Sequence, residues 1–280
     1  ACQLGVKMAD VLVTEAGFGA DMGAERFFNV KCRASGLTPH VAVIVVTVRA
    51  LKLHSGRFRV VPGRPLPAEM LGEDPDDVMA GADNLRKHID IVRSFGVTPV
   101  VAINAFPTDH PSEHEAIRSV AAETGTRVEV GHYVTDGGAG AAELAHAVVD
   151  ACDDASTIKH TYELSDPLVD KIDKVARNVY GADGIDLSSI ARKDLELYEA
   201  LGYGDMPVVI AKTHLSISHD PTLRGAPTGW RLPVREVRLA AGAGYVYAIC
   251  GDMRTMPGLG TTPNAENIDI DADGNIVGLS

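Results

Sequence analysis

Residues 41–56 read VAVIVVTVRALKLHSG, and this stretch decides the fold class. Residues 41–48 form a Val- and Ile-rich run with almost no polar interruption, which is how a strand buried on both faces reads. Arg49, Lys52 and His54 follow it directly. In open α/β sheets, ligands gather beyond the carboxyl ends of strands. A guanidinium fork and an ammonium point charge there suit phosphate or carboxylate. The alternative is a solvated basic loop.

Outward from this stretch the same alternation repeats. Short apolar runs lie at 11–14, 99–104, 128–134, 207–211, 234–239 and 245–250. Helical periodicity fills 22–33, 76–95, 112–123, 139–152, 167–180 and 189–201. Runs alternating with helices predict βαβ units and an α/β fold around a mainly parallel sheet. The last two runs flank 240–244 and read as a hairpin-like pair, so an α/β carboxy-terminal domain with an antiparallel end is expected. A domain boundary is placed near 105, dividing 1–105 from 106–280. Residues 55–75 form a Pro/Gly-rich loop too long for a simple connector.

The chain of 280 residues is ample for a buried core, and its 45% apolar and 23% charged residues match a globular protein. Aromatics are only 5%, so the core must rest on aliphatic side chains. A net charge of -12 argues against nucleic acid or an anionic membrane as partner. It leaves phosphate ligands open, because a few local cations and backbone N–H groups suffice. Cys2, Cys32, Cys152 and Cys250 are dispersed without a CxxC pair. That argues against a disulfide framework or zinc knuckle and fits a reducing cytoplasm. No apolar run approaches the ~18 residues of a membrane span. The opening ACQLGVKMADVLVTEAG has no initiator Met, signal peptide or cap, and reads as a cut through a helix.

Three further segments carry chemistry-bearing residues. In 13–23, VTEAGFGADMG, Gly17, Gly19 and Gly23 let a ligand approach the backbone before a helix N-terminus, and Glu15 and Asp21 could hold a cation. A tight turn with Asp21 near a helix cap is the structural alternative. In 102–109, AINAFPTD, Phe106 and Pro107 make a flat apolar platform for a planar ring. Asn104 and Asp109 are available there for its polar edges. Lys212 stands just past the run at 207–211, while His214 and His219 lack the spacing of a metal pair. The stretch 269–274, DIDADG, starts like a calcium loop but has Ser280 at its twelfth position, so a hairpin turn is the better reading. His110 and His114 lack a third ligand, and no metal site is expected. No Lys follows a Gly anywhere, so the chain has no P-loop.

EAGFGADMGAERFFNVKCR at 15–33 closely resembles formate–tetrahydrofolate ligases (10-formyltetrahydrofolate synthetases). The resemblance continues colinearly through VTVRALKLHSG at 46–56, with Val46 and Ser55 replacing the usual Ala and Gly, and VVAINAFPTD at 100–109. DGGAG at 136–140, YGADG at 180–184, LGYGDMPVVIAKTHLS at 201–216, PVREVRLAAGAG at 233–244, MPGL at 256–259 and NIDIDADGNIVGL at 267–279 follow in order. The resemblance implies ATP-dependent ligation of formate to tetrahydrofolate through formyl phosphate. It implies a P-loop-NTPase-like ligase of which this is the carboxy-terminal half, the P-loop lying in the amino-terminal half. On that basis 1–105 is the end of the nucleotide-binding domain and 106–280 the folate side. Phe106 and Pro107 match the pterin-stacking platform and Val130 an apolar wall. Val134 stands where the family has Trp. Loss of a stacking ring matters, since base–aromatic stacking is worth about 1–3 kcal/mol. Tyr133, on a strand, would face the other way. Arg49, Lys52 and Lys212 are the expected charge partners, with the turn at Gly17, Gly19, Asp21 and Gly23 lining the nucleotide or formyl phosphate site. The family further implies MgATP, a monovalent cation and a homotetramer. Three readings stand: part of an ordinary ligase, a subunit of a split ligase, or a non-catalytic folate-binding or scaffolding protein.

Overall fold

The computed structural model describes residues 1–61, 65–251, 263, 266–272, 274 and 276–277. The stretch MPGL at 256–259 lies outside the described residues. The first half builds a parallel three-stranded sheet in the order β1-β2-β3, from β1 (Val41–Val46), β2 (Thr98–Asn104) and β3 (Arg127–Gly131). Central β2 is apolar from Pro99 to Ile103 because both its faces are covered there: Val100, Val101 and Ile103 have no exposure. Edge strand β1 is covered on one face only, and Val43 and Val45 are 43% and 60% exposed.

The run 41–48, expected as one strand, breaks at Thr47. The Thr47 hydroxyl accepts the Ala50 N–H and caps the helix Val48–His54. The long helix expected over 76–95 is likewise two helices, Pro75–Ala80 and Asp83–Ser94. Asp74 caps the first, with Pro75 in its opening turn. They part at Gly81, where a Cβ would collide with the Leu51 carbonyl.

The second sheet runs β4-β6-β7-β5, from β4 (Ile185–Leu187), β5 (Val208–Ala211), β6 (Leu232–Ala240) and β7 (Tyr245–Cys250). β6 and β7 are antiparallel, as their spacing predicts, while β4 pairs with β6 and β5 with β7 in parallel. β8 (Asp269–Ile270) and β9 (Ile276–Val277) form a small antiparallel hairpin with Gly274 at φ +85°, in keeping with the turn reading of that stretch.

Two expectations fail on local grounds. Residues 11–14 are not a strand: Val11 and Val13 are 59% and 87% exposed, and among the described residues no neighbouring strand takes their backbone hydrogen bonds. The strand expected over 128–134 ends at Gly131, and Tyr133 and Val134 sit on the helical turn Tyr133–Asp136.

The helix Asp83–Ser94 serves both halves. Leu85 and Ile89 join Val46, Leu51, Val101, Ile103 and Ile117 in one core. Ile91 and Val92 join Phe28, Leu168, Ile172, Val208 and Val246 in the other. Position 105 falls between β2 and β3, within a single sheet. Among the described residues no helix is long and apolar enough to cross a membrane, and all four cysteines are free.

Candidate functional site

The parallel register brings the carboxyl ends of the first sheet level, Val46 opposite Ile103 and Asn104 opposite Gly131. Arg49 and Phe106 therefore meet. The guanidinium carbon lies 3.6 Å from the ring centroid, a cation–π contact. Phe106 is held by its own turn: its N–H donates to Asp109 Oδ2 at 2.9 Å, and Asp109 N–H donates to the Phe106 carbonyl at 2.9 Å. His114 Nε2 lies 3.3 Å from the same carboxylate. Beside the ring opens a cavity of about 450 Å³ whose lining includes Phe106, Pro111, His114, Arg118, Val130 and His132. Its size and mixed lining suit a small organic ligand.

Two buried polar atoms at this end, Arg49 Nε and Asn104 Oδ1, have no hydrogen-bond partner among the described residues. Burying an unpaired donor or acceptor costs about 1–3 kcal/mol, so these atoms mark where a ligand's polar edge would be welcome. Pro107 is exposed. Val134 is 77% exposed on its helical turn.

The glycine-rich turn has two characters. Gly23 is needed by the protein itself, since a Cβ there would run into the Gly17 carbonyl. At Gly19 a Cβ would meet Asp21 Oδ1 at 2.6 Å and the His88 ring at 2.8 Å. Gly17 has open space around it, so only there does the missing side chain leave room for a ligand. Between the last two stands Phe18, which sequence reasoning passed over. It holds φ +61° without being glycine, is 67% exposed, and stacks on His214 with centroids 5.2 Å apart. Such strain costs of order 1–3 kcal/mol and clusters at functional positions. An aromatic flanked by glycines was the available signal.

The lysines point inward. Lys52 is 1% exposed; its ammonium pairs with Glu113 and donates to the carbonyls of Met70 at 3.2 Å and Gly72 at 2.5 Å. Lys212, fully buried, donates to Asp21 Oδ2 at 2.6 Å, Ser216 O at 2.7 Å and Thr213 O at 3.3 Å. An ammonium has three N–H groups, so each lysine already has an acceptor for every donor. Burial lowers the Lys212 pKa, and the Asp21 charge opposes that shift. His54 is also internal: its Nδ1 accepts the Gly225 N–H at 3.1 Å, and burial, aided by Arg224 and His88, lowers its pKa to about 4. Arg49 is thus the one cation of the expected set that reaches Phe106, whose ring lines the cavity, and Arg118 is a cation in the lining itself. Among the described residues no three His, Cys, Asp or Glu side chains are grouped to hold a metal.

Fold and site together define an α/β protein with a cavity at parallel strand ends. The family model Formate–tetrahydrofolate ligase matches residues 1–280. The chain is 64% identical over 277 residues to a formate–tetrahydrofolate ligase of Cutibacterium acnes, covering 99% of this chain and 49% of that protein. It is 64% identical over 274 residues to one from Saccharopolyspora erythraea, covering 98% and 48%. The formate–tetrahydrofolate ligase 3 of Rubrobacter xylanophilus is 55% identical over 285 residues, covering 99% and 50%. The chain belongs to the formate–tetrahydrofolate ligase family, and it spans about half the length of the curated relatives it matches.

Proposed function

We propose that this chain is the tetrahydrofolate-side, carboxy-terminal half of an ATP-dependent formate–tetrahydrofolate ligase with a P-loop-NTPase-like fold. In that reaction formate is phosphorylated to formyl phosphate. N10 of tetrahydrofolate then attacks the formyl carbon, giving 10-formyltetrahydrofolate, ADP and phosphate. The observation that carries the folate assignment is the cavity beside Phe106, with the Arg49 guanidinium on the ring and two unpaired buried polar atoms at the same end. Phe106, Pro107 and Val130 would supply the apolar walls for the pterin, Val134 the outer contact, and Asn104 a polar edge.

Arg49 would neutralise charge at the formyl phosphate, alongside the open backbone at Gly17. Lys52 and Lys212 could contribute charge only by giving up one of the acceptors they now hold. Phosphoryl and formyl transfer ask mainly for alignment and charge neutralisation. The phosphate cradle, with its MgATP, would come from a P-loop-bearing partner segment, because no Gly-Lys occurs here.

The test is production of 10-formyltetrahydrofolate by the 280-residue chain given formate, MgATP and tetrahydrofolate. None is expected from the chain alone, and adding the P-loop half should restore turnover. Turnover by the chain alone would overturn this division of labour. The exposed Val134 favours one other reading, a folate-binding subunit without catalysis. Tetrahydrofolate binding with no turnover after complementation would select it.

A further inference from the structure

Asp21 and Lys212 are 191 residues apart in sequence, and their ion pair is buried, with side-chain exposures of 7% and 0%. Phe18 lies just before Asp21 and His214 just after Lys212, and their exposed rings stack with planes 24° apart. The same two segments therefore meet twice, through an ion pair below the surface and a ring contact at it. A further tie runs alongside, since Arg26 Nη2 donates to the Ile210 carbonyl at 2.5 Å.

We propose that the Asp21–Lys212 pair is a positioning strut. It sets the spacing between the glycine-rich turn and the loop after β5, and so holds Phe18 against His214 at the surface. Stability alone is a poor reason for such a pair. Desolvating two charges can outweigh their attraction, and apolar side chains of similar volume often serve as well. What the pair does enforce is geometry. If the turn slides, a buried ammonium loses its counter-charge. The turn has little slack of its own, because Gly19 is packed against Asp21 and His88, and Gly23 against Gly17. Its place in the molecule therefore follows Asp21. The other titratable groups around the pair are Glu25, Arg26, His88, Cys250 and Tyr180, whose ring centroid is 5.0 Å from Lys212 Nζ.

The test is the D21L/K212M double variant of the 280-residue chain, in which neither charge is stranded. Its readout is the His214 ring Cε1–H resonance, assigned with His214→Gln and referenced to Phe18→Leu, which removes the ring current. The double variant is expected to fold with a urea midpoint near that of the parent, while the His214 resonance moves to its Phe18→Leu position. A folded double variant with the resonance unmoved would overturn the strut. Should the double variant not fold, Asp21→Asn replaces it. Its neutral amide holds the ammonium less tightly, so the resonance should shift in the same direction, and no shift overturns the proposal. The ligase reading enters only in a second arm. In the complemented enzyme, misplacing the turn should lower kcat/KM by about 100-fold. Absence of product from the complemented parent would count against the ligase reading and leave the resonance test intact.

Discussion

Two lysines occupy equivalent places in the two halves of the molecule, just beyond a sheet strand, and each is buried against a carboxylate. Around Lys52 the network is complete. Its partner Glu113 also accepts the N–H groups of Asp74 at 3.0 Å and His110 at 2.9 Å, which ties the helix Val48–His54, the loop at 70–74 and the start of the helix Pro111–Glu123 together. Burial alone would raise the Glu113 pKa, but the Lys52 ammonium and those N–H donors hold it below its ordinary value. Around Lys212 the network is incomplete, since Glu25 Oε2 and the Tyr180 hydroxyl are buried with no partner among the described residues. A satisfied buried network rigidifies, whereas a partly satisfied one keeps polar groups in reserve. The first pair is scaffold next to the cavity, whose lining includes Pro111 and His114 of the helix that carries Glu113. The second lies beneath the strained turn at Phe18.

The sharpest way to break this contrast is at the complete network. Glu113→Ala strands the Lys52 ammonium and should cost about 3–5 kcal/mol, measured as a fall in urea unfolding free energy. The paired change K52M/E113L should recover most of it. A single-variant loss below about 1 kcal/mol would mean that Lys52 is not confined as its contacts indicate.

Next in size is the pH response of the incomplete network. Burial raises the Glu25 pKa from 4.5 to about 7, with the Asn29 hydrogen bond and the Arg26 charge opposing. The folded chain thus binds this proton more tightly than the unfolded chain. Its contribution to stability is full below pH 4.5 and is lost as pH rises through 7. The loss is of order 3 kcal/mol by linkage. Glu25→Gln keeps an oxygen for the Asn29 amide, which donates to Oε1 at 2.7 Å. It should remove that slope and stabilise the chain at pH 8. Equal unfolding free energies for the parent at pH 5 and pH 8, after correcting for other groups, would contradict this.

Smaller effects separate the cavity from its scaffold. Arg49→Ala removes a cation–π contact worth about 0.5–2 kcal/mol, and should weaken tetrahydrofolate binding and lower turnover of the complemented ligase. Unchanged turnover would remove Arg49 from the site. Gly17→Ala should change stability by less than about 0.5 kcal/mol, because open space surrounds it. A measurable loss of nucleotide or formyl phosphate binding in that variant would place the ligand at this turn.

The two halves were not equally legible from sequence. β2 and β7 show as apolar runs because most of their residues are buried, and an apolar run is what burial demands, while β5 and β6 show through the aliphatic residues at their buried positions, Val208, Ile210, Leu232, Val234 and Val237. β4 was invisible: Ile185–Leu187 is three residues with Asp186 in the middle, too short to carry a pattern. The stretch 11–14 misled in the opposite sense, being apolar but without a strand beside it. At the site, the segments carrying Arg49 and Phe106 could be named because strand ends are predictable. That the two side chains touch could not.

Alternating apolar runs and helical periods determined the α/β class, the antiparallel end, the missing P-loop and, through long colinear motifs, the family. Each of these is written in local order along the chain. Tertiary structure alone decided the direction in which each cation points. Lys52, Lys212 and His54 read in sequence as groups offered to a ligand, yet their partners come from Glu113, Asp21 and Gly225, distant in the chain. Burial leaves a charge no choice but to find such partners, and which partners are within reach is a property of packing.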